Sequence, residues 1–141
     1  MKYLLDTCVI SEAIRPLPEP SVLAWLAVRV EEDLYLPTLV LGELMKGIER
    51  LESGLKRSRL ESWAVELEAR FGSRLVAIDG EVALKWGRLA AQLEQRGIAL
   101  PVIDGLIASC ALNHGMVLAT RNIRDFAETG VELFNPWDFE G

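Results

Sequence analysis

Histidine and cysteine are nearly missing from this sequence, with one His and two Cys in 141 residues. His114 lies in Asn113-His114-Gly115, the pattern of a helix end before a strand. Most Ser-His-Asp and Cys-His chemistries would have to run through that one side chain. Cys8 and Cys110 have no Cys or His at ligand spacing, so a zinc site is unsupported. Two cysteines without a secretion signal read as free thiols rather than a disulfide. Proline gathers in one segment, Arg15-Pro16-Leu17-Pro18-Glu19-Pro20, which is too short to divide domains and reads as a turn between two helices. No run approaches the roughly 18 apolar residues of a membrane span. Asp6 interrupts the N-terminal apolar stretch too early for a signal peptide, so a cytoplasmic protein with no membrane partner is expected.

What is present is an ordinary globular mixture, half apolar and a quarter charged, which argues against disorder. The length fits a single domain over residues 1–141, able to bury about two thirds of its surface without staples. Acids exceed bases by 21 to 15, for a net charge of −6, which argues against a nonspecific nucleic-acid coat. The charge is uneven, however. Residues 46–59 hold Lys46, Arg50, Lys56, Arg57 and Arg59 against Glu49 and Glu52, whereas the tail from Asp125 onward has five acids and no base. Global charge therefore does not decide the partner.

Short apolar runs alternate with helical periodicity. Strands are expected at 3–6, 34–37, 74–79, 116–120 and, shorter, 131–134. Val22, Leu23, Leu26 and Val30 recur at helical spacing. Thr38 reads as the N-cap of a helix with Leu41, Leu44, Met45, Ile48 and Leu51 on its apolar face. Further helices are expected over 56–71, over 81–96 with Val82, Leu84, Trp86, Leu89 and Leu93 at least partly inward, and from Pro101 to near Asn113. The alternation predicts an α/β fold, a mostly parallel sheet of four to five strands covered on both faces. Ligands on such sheets bind beyond the carboxyl ends of the strands, where strand order reverses; in a 3-2-1-4-5 order that is between strands one and four.

Four acids stand where this rule directs attention. Asp6 closes the first strand; its plainer reading is a cap for the following helix. Asp104 sits in a helix that is apolar nearly all round, where a carboxylate is costly unless paired or metal-bound, although an acid in the first turn also suits the helix dipole. Gly105 and Ala108 would leave room beside it. Glu43 falls off the apolar face of its helix and shares a face with Lys46, Gly47 and Arg50, so a solvated salt bridge competes with a carboxylate flanked by phosphate-binding bases, with Gly47 giving clearance. Asp125 follows the fourth strand in Thr120-Arg121-Asn122-Ile123-Arg124-Asp125, where Asn122 would cap a short turn. Singly each signal is weak. Jointly, three or four carboxylates at one mouth cannot all stay ionised without cations. Oxygen-rich clusters suit Mg²⁺ or Mn²⁺, and such a metal with bases nearby suits phosphodiester hydrolysis by an activated water.

Four ordered segments then carry a resemblance: Leu5-Asp6-Thr7 with Val9-Ile10-Ser11-Glu12; Leu39-Val40-Leu41-Gly42-Glu43-Leu44 with Gly47; Pro101-Val102-Ile103-Asp104-Gly105-Leu106-Ile107-Ala108; and Ala119 to Phe126. Together they resemble the PIN domain, in the order and spacing of the VapC toxins and particularly of the FitB-like branch, which Asn135-Pro136-Trp137 also resembles. The likeness covers essentially the whole chain. It implies a three-layer α/β/α sandwich and a Mg²⁺-dependent endoribonuclease, the toxin of a toxin–antitoxin pair. It implies that Asp6 and Asp104 are the metal-binding aspartates and that Glu43 is the acid of the third helical segment. For the fourth acid, many PIN domains use the position of Asn122 and others that of Asp125; the expectation is Asp125, supported by Asn122 and Thr120. Cys8 stands where relatives often have Asn or Ser. A homodimer is implied, with a small DNA-binding antitoxin whose C-terminal segment occupies the acidic groove. Lys46 and Arg50 are expected to meet RNA phosphates.

Two other functions compete. A haloacid-dehalogenase-like phosphatase would also place an aspartate after the first strand, but wants a second one two positions on, where Cys8 stands. A noncatalytic binding module could keep the fold, but retention of all four acids argues against it.

Overall fold

The computed structural model describes all 141 residues. Five strands, β1 (Tyr3–Leu5), β2 (Leu34–Pro37), β3 (Leu75–Val76), β4 (Val117–Ala119) and β5 (Leu133–Phe134), form one sheet in the order β3-β2-β1-β4-β5. All four pairings are parallel. Seven helices connect them: α1 (Thr7–Ala13), α2 (Pro20–Ala27), α3 (Thr38–Glu49), α4 (Leu55–Phe71), α5 (Gly80–Gln95), α6 (Val102–His114) and α7 (Ile123–Phe126). The chain steps one way from β1 to β3 and then crosses back to β4 and β5. Right-handed crossovers put helices of oppositely directed steps on opposite faces of the sheet, giving the α/β/α layers the patterning predicts. Strand order reverses between β1 and β4, where the Asp6 N–H donates to Ala119 O at 3.0 Å.

The core forms where the sheet meets both helix layers: Leu4, Leu5, Leu36, Leu118 and Ala119 from the strands, Val9, Val22, Trp25 and Val40 from one set of helices, and Val82, Ile107, Ala108 and Cys110 from the other. Helix α6 is buried from Ile107 through Ala111, so its apolar periphery reflects two-sided cover. Gly115 ends it in the left-handed region at φ 64°, which explains the glycine after His114. The Pro-rich segment does turn between two helices. It is fastened by Glu12, a buried acid that accepts from the Glu19 N–H at 2.9 Å and pairs with Arg15. Both cysteines are free thiols.

Several local expectations need correcting. Strand three is two residues, because Asp79 leaves it to cap α5 by accepting from the Val82 N–H at 2.9 Å. Helix α2 stops at Ala27, leaving Leu23 and Val30 exposed; Val22 is buried as expected, joined by Trp25, whose ring stacks on Phe134 and meets Tyr3 edge-on. Leu84 points outward at 64 % exposure, because α5 packs on only one side. Thr38 is not a cap: Pro37 holds that position, and the Thr38 hydroxyl donates across to Val76 O at 3.4 Å. Gly105 leaves no room beside Asp104, because the Trp86 indole fills it; a Cβ on Gly105 would lie 3.0 Å from Trp86 Nε1. Gly47 faces open space, so a side chain there would obstruct nothing within the chain.

Candidate active site

The carboxyl ends of β1 and β4 bring the chemistry-bearing residues together. Asp6 follows β1 directly and is 6 % exposed. Its Oδ1 accepts from the Thr7 N–H at 2.9 Å, and its Oδ2 from the Thr120 hydroxyl at 2.7 Å. Asp6 is thus the cap of α1 and is anchored from a second side by Thr120. Thr120 is fully buried, and its oxygen also accepts from the Asn122 N–H at 3.0 Å. This bond replaces the capping by the Asn122 side chain that the turn pattern suggested; that side chain makes no cap bond. Cys8 lies against the same cluster, its Sγ 3.8 Å from Asp6 Oδ2 and 3.7 Å from the Thr120 hydroxyl. Burial pushes its thiol up, as does the Asp6 charge, against hydrogen bonds that favour the thiolate.

Glu43 comes from the second turn of α3. The intrahelical salt bridge with Lys46 does not form: Glu43 Oε1 instead accepts from the Thr7 hydroxyl at 2.6 Å. Lys46 is exposed and lines a small recess with Glu43, Thr38 and Ile103. Arg50 is exposed at the end of α3. Arg57, part of the same basic stretch, is paired with Glu49 and Glu61, so its charge is already compensated.

Asp104 stands in the first turn of α6, half-buried and without a hydrogen-bond or ion-pair partner. Burial pushes its carboxyl up to about 6, and the negative charges of Asp6, Glu43 and Asp125 add to the shift in that order. Asp6, Glu43 and Asp125 therefore all lie within electrostatic reach of Asp104. Asp125, exposed on α7, shares with Asp104 a recess of about 280 Å³ walled by Ile98, Leu100 and Pro101. Asn122 is exposed on the same turn but does not line that recess. Arg124 does line it, yet pairs with neither acid.

No three of these carboxylates form a ready-made coordination shell. Mg²⁺ does not require one, since it takes one or two carboxylates and keeps several waters. The fit therefore rests on the donor set. Asp104 is a hard oxygen donor, half-withdrawn from water among three like charges, and nothing in the chain neutralises it. A hard divalent cation would supply the missing charge.

Thr7 is the residue that sequence reasoning passed over. Its position directly after Asp6, at the first turn of a helix, was the available signal, because a hydroxyl there is held close to whatever Asp6 faces.

Comparison with known proteins agrees with this geometry. The family model of the PIN domain matches residues 3–132. Toxin FitB of Neisseria gonorrhoeae is 36% identical over 138 residues, covering 95% of this chain and 97% of that protein. The VapC ribonuclease Y4jK of Sinorhizobium fredii is 33% identical, covering 96% and 97%. Among solved structures, FitAB bound to an IR36 DNA fragment superposes with a TM-score of 0.91 at 34% identity, over 99% of this chain and 98% of that one. VapBC2 from Rickettsia felis, bound to a DNA fragment from its promoter, gives 0.78 at 27% over 96% and 98%. The sheet order, the acids at its switch point and these full-length likenesses converge, and the chain belongs to the PIN-domain family.

Proposed function

We infer that this chain is a metal-dependent ribonuclease and the toxin of a VapBC-type toxin–antitoxin pair. The observation that carries the reading is Asp104, half-buried among Asp6, Glu43 and Asp125 with no compensating base, in a PIN fold whose full-length relatives are named ribonuclease and toxin. Asp6 and Asp104 are the residues to hold Mg²⁺, with Mn²⁺ as a substitute. Bound there, the metal supplies an activated water and neutralises charge on the phosphodiester.

The chain's own residues do the rest. Thr120 and the Thr7 N–H fix the Asp6 carboxylate, so that it cannot rotate out of the mouth. Glu43 enters from α3 and Asp125 from α7, completing the acidic set, with Asn122 and Thr120 as polar support. Lys46 and Arg50 grip RNA phosphates on the α3 side, a role open to them because neither is paired with an acid. Residues 1–141 act as one domain, as a homodimer in the cytoplasm.

The partner is a small DNA-binding antitoxin. A cluster of uncompensated carboxylates attracts cations, and an arginine with its planar bidentate fork is the side chain best shaped to enter it. Inhibition would then come from a peptide segment lying over Asp6, Glu43, Asp104 and Asp125.

The test is RNA cleavage by the purified chain. Activity should vanish in EDTA, return with Mg²⁺ or Mn²⁺, and be absent from Asp104→Asn. Coexpression with the small protein encoded beside it should relieve growth arrest. Cleavage that persists in EDTA, or that survives in Asp104→Asn, overturns the reading.

A further inference from the structure

Thr7 touches two of the four acids with two different groups. Its main-chain N–H donates to Asp6 and its hydroxyl to Glu43 Oε1 at 2.6 Å. The two acids depend on it unequally. Asp6 is held a second time by Thr120, whereas Glu43 has no other hydrogen bond and no ion pair. Glutamate is long and freely rotating, and Lys46 lies one turn further along the same helix face, within the spacing at which acid and base normally pair. A lone Glu43 would turn toward that cation or into water. The hydroxyl at Thr7, fixed at the start of α1 just after the strand and Asp6, takes it instead.

We propose that Thr7 is the positioning residue for Glu43: its hydroxyl holds the α3 carboxylate beside Asp6 and away from Lys46. The proposal rests on the metal-dependent ribonuclease reading and adds a residue to it. Thr7 acts through Glu43 and touches neither metal nor RNA. A side chain that orients a neighbour of a metal site in this way typically carries a factor of about 10–100 in metal affinity or activity.

Thr7→Val tests it selectively, because valine keeps the size, the β-branch and the N–H that serves Asp6, and loses only the hydroxyl. Thr7→Ser keeps the hydroxyl. Three readouts apply to the full-length protein: kcat and KM for RNA cleavage with Mg²⁺, Mn²⁺ binding to the metal-free protein by calorimetry, and the same substitution in a Glu43→Ala background. Thr7→Val should lower kcat by about 10–100-fold with little change in KM, weaken Mn²⁺ binding in parallel, and be rescued by Thr7→Ser. With Glu43 already removed it should cost less than about twofold more, since residues acting as one unit are not additive. Unchanged kcat and Mn²⁺ affinity in Thr7→Val, failure of serine to rescue, or full multiplicativity with Glu43→Ala would each overturn the proposal. If the unsubstituted chain cleaves no RNA, it is the ribonuclease reading that fails. Calorimetry then decides Thr7 alone, and equal Mn²⁺ affinity in Thr7→Val and the parent counts against it. Should Thr7→Val not fold, Thr7→Ala carries the same arms.

Discussion

Two charged regions of this chain obey opposite rules. Beside α3, α4 and the start of β2, charges of both signs meet and cancel: Arg57 pairs with Glu49 and Glu61, and Arg70 and Arg74 both pair with Glu31. At the mouth between β1 and β4, four acids gather, and neither Lys46 nor Arg124 pairs with any of them although both line the adjoining recesses. The first region is self-sufficient, and solvent screening leaves each of its pairs a small contribution to stability. The second is incomplete as an electrostatic object and is held against repulsion by hydrogen bonds from Thr7 and Thr120. A charge cluster that the chain itself neutralises describes a surface. One that it leaves unneutralised, at the switch point of a parallel sheet, points to a cation from outside.

The contrast breaks most visibly at Asp104. Asp104→Asn keeps the shape and removes the uncompensated charge, so Mg²⁺-dependent cleavage of RNA should fall by more than about 100-fold, beyond what a merely supporting residue costs. Circular dichroism should show the fold unchanged. Retained cleavage in a preparation free of other nucleases would remove Asp104 from the site.

A second experiment reads the same carboxyl without any reaction. Asp104 holds its proton up to about pH 6 in the folded chain, against an ordinary value of 3.8. Between those values the folded state binds the extra proton, so metal-free stability should fall as pH rises through about 4 to 6 and level off above. Asp104→Asn should match the parent near pH 4 and melt higher above pH 6. The gap should be about 2–4 °C, taking a screened effect of about 1 kcal/mol for this half-exposed group. Mg²⁺ at pH 7.5 should narrow the gap by stabilising only the parent. Melting curves that stay parallel across the range would mean that burial and the neighbouring acids do not raise the Asp104 carboxyl.

Smaller effects belong to the bases. Replacing Lys46 and Arg50 by Ala should weaken RNA binding and lower the salt dependence of affinity by roughly one unit of slope or less per lost phosphate contact. An unmoved slope would make them plain surface charges. Arg57→Ala, by contrast, should leave cleavage and salt slope alone and shift the melting temperature only slightly, because its charge is already paired with Glu49 and Glu61. A large loss of RNA affinity there would blur the division between the two regions.

Much of the architecture is legible in local pattern. The spacing of apolar residues around Leu41–Leu51 and in 101–113, and the short runs at Tyr3, Leu34 and Met116, are what a parallel sheet covered on both faces demands, because each element must hide a particular face or be hidden entirely. The acids are legible for a related reason: Asp6 and Asp104 sit in apolar surroundings, where an ionised group requires a partner. Less legible were Trp25 and Leu84, one buried and one exposed contrary to the pattern, since which side of a helix is covered depends on its neighbours and not on its own residues. Gly105 is similar, small for the sake of Trp86, which comes from another helix.

By itself the sequence determined the order of strands and helices, the layered fold they make, and the placing of an acid just after β1 and another in the first turn of the buried α6. These follow from periodicity and from the cost of burying charge, which act over a few residues. Only the tertiary structure decided how the acids are held. Whether Glu43 would pair with Lys46 along its own helix or reach Thr7 across 36 residues is undetermined in the sequence, where both partners are available. The choice was made by the parallel pairing of β1 with β2, which sets the start of α1 against α3, so that a hydrogen bond between distant segments replaces an ion pair between near ones.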